Sequence, residues 1–396
     1  MSEQRVLVAG SGPVGMVAAA RLVQAGIPVT VLEAGDGISR LSRASTFHPP
    51  TLDMLDDLGV ASALVKLGLV APVVQYRSKQ DGLLGRFDFG EIADHTRHPF
   101  RLQCEQWRLC HLLLDELRGS PLFEIHFNSP VRSALQSDRG ASVILVDGTR
   151  HLGRWIIAAD GANSTIRQYL GIPFEGFTWP ERFLVVTTPD DIRDHVPELD
   201  SVCYVSDTEV WHSFLQIPGY WRIMFPVPDE MRNAEALDPS YGAALLRSAL
   251  PAGTPEPEIS HRTLYRVHQR VATTFQKGRV FLAGDAAHIS NPLSGMGMNG
   301  GIHDAVNLTG HMIAVWNEEA PEKELARYDH QRRRVTEEHI QTTTIENKRD
   351  LEGATPEDRE SFRRAMAERM GDPDARRKFL LRISMIKSLE RAGQLG

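Results

Sequence analysis

One short stretch near the N-terminus narrows the possible folds more than any other. In Arg5-Val-Leu-Val-Ala-Gly10-Ser-Gly12-Pro13-Val-Gly15 an apolar run over 6–9 leads straight into G-x-G-x-x-G. A helical pattern covers 16–24, Gly26 closes it, and 27–32 reads as a second buried strand ending at Glu33. Together these make a complete βαβ unit. Gly10 permits the tight turn, Gly12 lets the backbone approach a pyrophosphate, and Gly15 lets the helix sit close to the sheet. The helix N-terminus offers unpaired N–H groups and partial positive charge to phosphates. A carboxylate at Glu33 accepts hydrogen bonds from ribose hydroxyls and repels a 2′-phosphate. A plain glycine-rich turn would not require the strand, helix, second strand and terminal acid to agree.

Two later strands end in the same manner. Trp155-Ile-Ile-Ala-Ala-Asp160-Gly161 runs into a turn and a helix carrying Ser164 and Arg167. Taken alone, this is as well explained by an Asx turn and a capped helix. Val280-Phe-Leu-Ala-Gly284-Asp285 is another buried strand with a terminal carboxylate. Pro292 follows, then Gly295, Gly297, Gly300 and Gly301, and the apolar face of Ala305, Leu308, Met312 and Val315 predicts a helix over 304–317. A loop with no ligand would have to account for the aspartate and the cluster of glycines together.

These motifs, in this order, make the chain resemble the group A flavoprotein aromatic hydroxylases, the family of para-hydroxybenzoate hydroxylase. The resemblance spans roughly 3–345. It implies an α/β fold: an FAD-binding Rossmann-like domain of the glutathione-reductase type, an inserted β-rich substrate domain and C-terminal helices. The expected division is FAD-binding at 1–72, 101–177 and 276–345, substrate domain at 73–100 and 178–275, and a helical region at 346–396. By the resemblance, Gly10, Gly12, Pro13, Gly15 and Glu33 hold the adenosine diphosphate part of FAD. Arg43 lies toward the flavin, and Gln103 and Arg108 lie at the ribityl and pyrophosphate region. Gly284 and Asp285 bind the ribityl chain. The amides around Gly295, Gly297, Met298 and Asn299 stabilise negative charge on the reduced ring. Asp160 and Arg167 are expected to help bind NADH or NADPH. Pro50 stands where many members carry arginine, so no cofactor contact is assigned to it.

The implied reaction is hydroxylation of a small aromatic or heteroaromatic substrate by O2 through a flavin C4a-hydroperoxide, with NADH or NADPH as reductant. Short strands expected at 182–188, 201–206, 210–217, 220–227 and 262–268 supply the substrate pocket. Its candidates are Tyr204, Trp211, His212, Phe214, Tyr220, Arg222 and Met224, and only alternate residues of each strand can face it. Ordinary core packing explains each aromatic as well. The catalytic group is read as His212, Tyr220, Arg222 and Pro292. His212 or a tyrosine would take a phenolic proton; Arg222 would hold a substrate carboxylate or form a salt bridge. His288 is a further candidate for lining the flavin.

Other classes are constrained by composition. The 396 residues carry a net charge of −7 and 42% apolar residues, which argues against a nucleic-acid partner. No apolar run approaches a membrane span. Three cysteines without metal spacing fit a reducing cytoplasm. A flavin-dependent halogenase would carry W-x-W-x-I-P, which Tyr220-Trp221-Arg222-Ile223-Met224 does not match. A reductase of related fold and a non-enzymatic FAD-fold carrier are the remaining alternatives, and a homodimer is compatible with the helical C-terminus.

Overall fold

The computed structural model describes residues 5–40, 44–207, 209–353 and 355–395. Arg43 lies outside the described residues. The apolar runs that precede the three motifs are neighbours in one six-stranded sheet. Its order is Gln276–Lys277, Val280–Leu282, Trp155–Ala158, Val6–Ala9, Val29–Leu32 and Phe123–His126. Every neighbouring pair except the first runs parallel. The parallel strands of the three motifs are fully buried, which is why they read as continuous apolar runs without alternation. Register pairs Ala9 with Ala158 and Ala158 with Leu282. The three strands therefore end level, and their loops leave from one edge, the carboxyl end where parallel sheets bind ligands.

Helix Pro13–Gln24 begins with proline in its first turn, where no amide partner is lost. It packs on the long helix Met296–Trp316. That helix starts well before the predicted 304. Glycine is a poor helix former, so the pattern of apolar residues hides the first turns. Close approach accounts for the glycines: a β-carbon on Gly301 would lie 2.6 Å from Val14 Cγ2 and 2.9 Å from Gly284 Cα.

The chain crosses into a second, eight-stranded sheet along Phe174–Thr188 and returns along His261–Ala272. Pro180 lies where the register between these strands slips, between Thr178 and Arg182; proline has no amide to donate there. Alternation gives this sheet two apolar faces. Phe183, Tyr204, Trp211, Met224 and Val267 pack on one side with Leu293 of the loop after Asp285. Leu184, Phe214, Trp221, Ile223 and Phe225 pack on the other, against Leu245 and Leu246 of helix Pro239–Ala249.

The C-terminal helices close the first of these faces. Helix Ala326–Val335 continues through a π-helical turn, Thr336–Gln341, into Thr342–Glu352. Gly353, with φ 49°, breaks the run, and a Thr355–Asp358 capping box starts Pro356–Gly371. Phe362 and Met366 of that helix and Phe379 and Leu380 of helix Pro373–Ile383 complete the core beside Tyr76 and Phe87. Among the described residues, no helix is long and apolar enough to cross a membrane.

Candidate active site

The three loops meet at the sheet edge. Gly12 caps helix Pro13–Gln24 with no side-chain hydrogen bond, and a β-carbon there would meet nothing within 4 Å. The first-turn amides at this N-terminus are therefore not capped by a side chain. Glu33, beyond the second strand, accepts from Ser11 N at 2.8 Å, Ser11 Oγ at 2.7 Å and Gly35 N at 2.8 Å. The carboxylate is thereby anchored beside the first loop. Val14 packs against Gly284, where a β-carbon would lie 2.8 Å from its Cγ2, so the first and third loops touch. Asp285 is exposed at the tip of the third strand, in the short turn Gly284–Ala286.

The second loop serves the third. Asp160 Oδ2 accepts from Ile166 N, while Oδ1 is buried with no hydrogen-bond partner among the described residues. Burial raises the Asp160 carboxyl above its ordinary range. Arg167 donates through Nη1 to Ala286 O and through Nη2 to Ala162 O, both at 2.9 Å, and stacks on Phe174. Its guanidinium ties the second loop to the third.

Helix Met296–Trp316 starts from left-handed Gly295 with no side-chain cap and no acid in its first turn. Its terminus is positive and unneutralised. Gly297 has nothing within 4 Å of a β-carbon position. Asn299 works inward instead: Oδ1 accepts from His48 N, and Nδ2 donates to Thr46 O and Gly295 O. This pins the helix start to the segment after strand Thr46–Phe47. Beside it, Gln103 Oε1 accepts from Thr46 Oγ1 while its Nε2 has no partner among the described residues. Arg108 Nε also makes no hydrogen bond there, 3.6 Å from Glu105 Oε2. Buried donors left over in this way are available to a ligand. Two uncapped helix N-termini and spare donors at Gln103 and Arg108 match a dinucleotide whose phosphates are anionic and whose ribityl chain and ring accept hydrogen bonds.

A family model described as an FAD binding domain matches residues 3–343. The chain belongs to the FAD-dependent aromatic hydroxylases. It is 33% identical to the para-nitrophenol 4-monooxygenase of Pseudomonas sp. (strain WBC-3), over 96% of this chain and 95% of the relative. It is 32% identical to the 6-hydroxy-3-succinoylpyridine 3-monooxygenase of Pseudomonas putida (strain DSM 28022 / S16), over 88% and 89%. The crystal structure of p-nitrophenol 4-monooxygenase PnpA from Pseudomonas putida DLL-E4 superposes with a TM-score of 0.91 at 31% identity, covering 98% of both chains. This chain is therefore an FAD-dependent monooxygenase.

The hydroxylase's substrate-side candidates separate by sheet face. Tyr204, Trp211 and Met224 lie on the inner face with Leu293. Phe214 lies on the outer face, and so does His212, whose ring packs on Phe214 and Phe225. Burial pushes His212 down to about 4, and its Nδ1 meets Val210 O. This corrects the expectation of a catalytic base at 212: strand parity turns the ring away from the inner face. Tyr220 is half exposed at the hairpin end, paired with Ile217. Arg222 is largely buried, with Nη2 3.4 Å from Glu105 Oε1, the salt-bridge alternative for this residue. Pro292 is exposed and leads into the turn Leu293–Gly295. His288 is fully buried on Asp304 and stacked on Phe275.

Two buried residues escaped the sequence reading. His48 Nε2 lies 2.7 Å from Ser294 O. Arg101 donates through Nη2 to Ile383 O at 3.1 Å, while its Nε and Nη1 have no partner among the described residues. No carboxylate among the described residues is within ion-pair distance of Arg101. Both residues stand inside stretches that carried the family resemblance, 43–59 and 101–108.

Proposed function

We propose that this monooxygenase hydroxylates a small phenol or hydroxypyridine, using O2 and NADH or NADPH, and that His48 accepts the ring hydroxyl proton. FAD, held by the groups around Gly12, Gln103, Arg108 and the start of helix Met296–Trp316, supplies the activated oxygen. The residues of the chain supply the rest.

The observation that carries this reading is the contact of buried His48 Nε2 with Ser294 O, close to the buried guanidinium of Arg101. A carbonyl oxygen can only accept, so Nε2 bears the proton in its bond to Ser294 O. Burial, followed by the charge of Arg101, holds the imidazole well below its ordinary range. With Nε2 protonated, Nδ1 is the ring's free lone pair; it makes no hydrogen bond of good geometry among the described residues, and the pull of the Ser294 and Ile383 backbone toward the protonated ring is outweighed by burial and by Arg101. That is the form a general base needs at neutral pH. Arg101 is a buried guanidinium with no carboxylate in ion-pair reach among the described residues. It favours a phenolate over a phenol, and loss of the proton enriches the ring for attack by an electrophilic oxygen.

The apolar inner face of the second sheet and the C-terminal helices exclude water around the ring, which protects the activated oxygen from decay to H2O2. The relatives named above act on a nitrophenol and a hydroxypyridine, both carrying a ring hydroxyl, which supports the same class here. Asp160 is assigned to the reductant; Arg167, occupied by two carbonyls, positions the loop for it.

The test is a visible spectrum of the purified protein, followed by a panel of phenols assayed for stimulated NAD(P)H oxidation, O2 uptake and hydroxylated product. A colourless protein that takes up no FAD, or NAD(P)H oxidation without a hydroxylated product for any phenol, overturns the reading. Exchanging His48 for glutamine is expected to lower kcat by about 10²–10⁴.

A further inference from the structure

Ser294 adopts φ 71° and ψ 1°, in the left-handed region that few non-glycine residues occupy. Such a backbone persists only where its surroundings over-determine it. Three elements do so here. Ser294 N donates to Tyr204 Oη at 3.1 Å, on the inner face of the second sheet. Ser294 O accepts from His48 Nε2 at 2.7 Å. Ser294 Oγ accepts from Asn347 Nδ2 at 2.6 Å, on helix Thr342–Glu352.

The same helix and the end of the π-helical turn before it hold the rest of the loop. Gln341 Nε2 donates to Ile289 O at 3.1 Å, and Asn291 Nδ2 donates to Thr344 O at 2.9 Å. Asn291 Oδ1 in turn accepts from Leu293 N at 3.1 Å, just before the strained turn. Gln341, Thr344 and Asn347 recur at a spacing of three and so share one helix face. The π-helical turn at Thr336–Gln341 leads directly into this face; such turns concentrate at functional sites.

We propose that Asn347 is a positioning residue for oxygen transfer: it holds Ser294 in the left-handed turn, and the Ser294 carbonyl in turn fixes which nitrogen of His48 carries the proton. This rests on His48 being the base. Asn347 touches the turn and acts through Ser294, so its removal should spoil alignment and leave substrate affinity nearly intact.

The experiment uses the FAD-loaded enzyme with its best phenol, comparing Asn347→Ala, Asn347→Asp, Ser294→Gly and the Ser294→Gly/Asn347→Ala double variant. Asn347→Ala is expected to lower kcat by roughly 10- to 100-fold with KM little changed, and to divert NAD(P)H consumption to H2O2. Asn347→Asp should recover most of the coupling, because its carboxylate can accept from the Ser294 hydroxyl. Glycine adopts the positive φ without strain but has no Oγ to hold. In that background Asn347→Ala should therefore add little.

A loss of thermal stability with an unchanged product-to-NAD(P)H ratio would leave Asn347 a purely structural residue and overturn the inference. So would full additivity in the double variant. If His48→Gln retains full kcat, the reading of His48 falls and this inference falls with it. If His48→Gln is impaired and Asn347→Ala is not, only this inference falls.

Discussion

At the scale of single residues, chemistry and packing separate at the glycines. Gly12 has φ −68° and an empty β-carbon position, so nothing in the protein itself forbids a side chain there. Gly12→Ala is expected to fold with an unchanged melting temperature and to lose FAD, because the added methyl would occupy the space proposed for the pyrophosphate. Gly301→Ala differs: its methyl would collide with Val14 and with the Gly284 backbone. That substitution should cost about 1–3 kcal/mol of stability, the range for overpacking a core, and thermal melting with and without FAD distinguishes the two variants. Ser294 gives a third case, since Ser294→Val places a β-branched residue at φ 71° and should lose far more coupling than Ser294→Gly.

Among the elements, helix Met296–Trp316 is the one on which the site turns, and a buried ionic cluster holds it. Asp304 is wholly buried. It accepts from His288 Nε2 at 2.7 Å, Arg332 Nε at 2.7 Å and Gly284 N at 3.1 Å. One carboxylate thus joins the helix, the third motif loop and helix Ala326–Val335. Burial pushes the carboxyl up, but the opposing charges of His288 and Arg332 and their hydrogen bonds outweigh it and hold the group below its ordinary range. Its contribution to stability is therefore present above the unfolded carboxylate value of about 4 and is lost as pH falls further. Asp304→Asn leaves Arg332 buried with no opposite charge and is expected to destabilise by about 3–5 kcal/mol. Chemical denaturation at neutral pH checks this, and FAD retention should fall in step, since Gly284 loses its anchor.

Over the whole molecule, burial sets the response to acid. His212 is pushed down to about 4 and His303 to about 3, in both cases chiefly by burial, and His48 is depressed as well. Unfolded, each titrates near 6.5. Below that pH the unfolded chain binds protons that the folded chain refuses, so stability falls as pH drops from 6.5 toward these depressed values and is insensitive to these groups above 6.5. Urea midpoints measured through this range should decline steadily below pH 6.5; a flat series would contradict neutral, buried imidazoles.

Local chemistry made much of this protein readable. A buried strand that ends in glycine or aspartate announces itself within ten or so residues, so the motifs at 10–15, 160–161 and 284–285, and with them an FAD-binding domain, were legible in the chain. So were the strands of the second sheet, whose aromatic alternation repeats every two residues. Strand parity was legible too: 211, 213 and 215 share one face, and 212 and 214 the other. Which face looks inward was not, because that depends on how the eight strands dock, so the sequence alone did not separate His212 and Phe214 from Trp211. Only the tertiary structure set the three motif strands side by side and level, across gaps of more than a hundred residues. It alone brought His48, Arg101, Ser294 and Asn347 together, since a partner for a buried imidazole or a strained turn is chosen by packing between distant elements and leaves no periodic trace in the sequence.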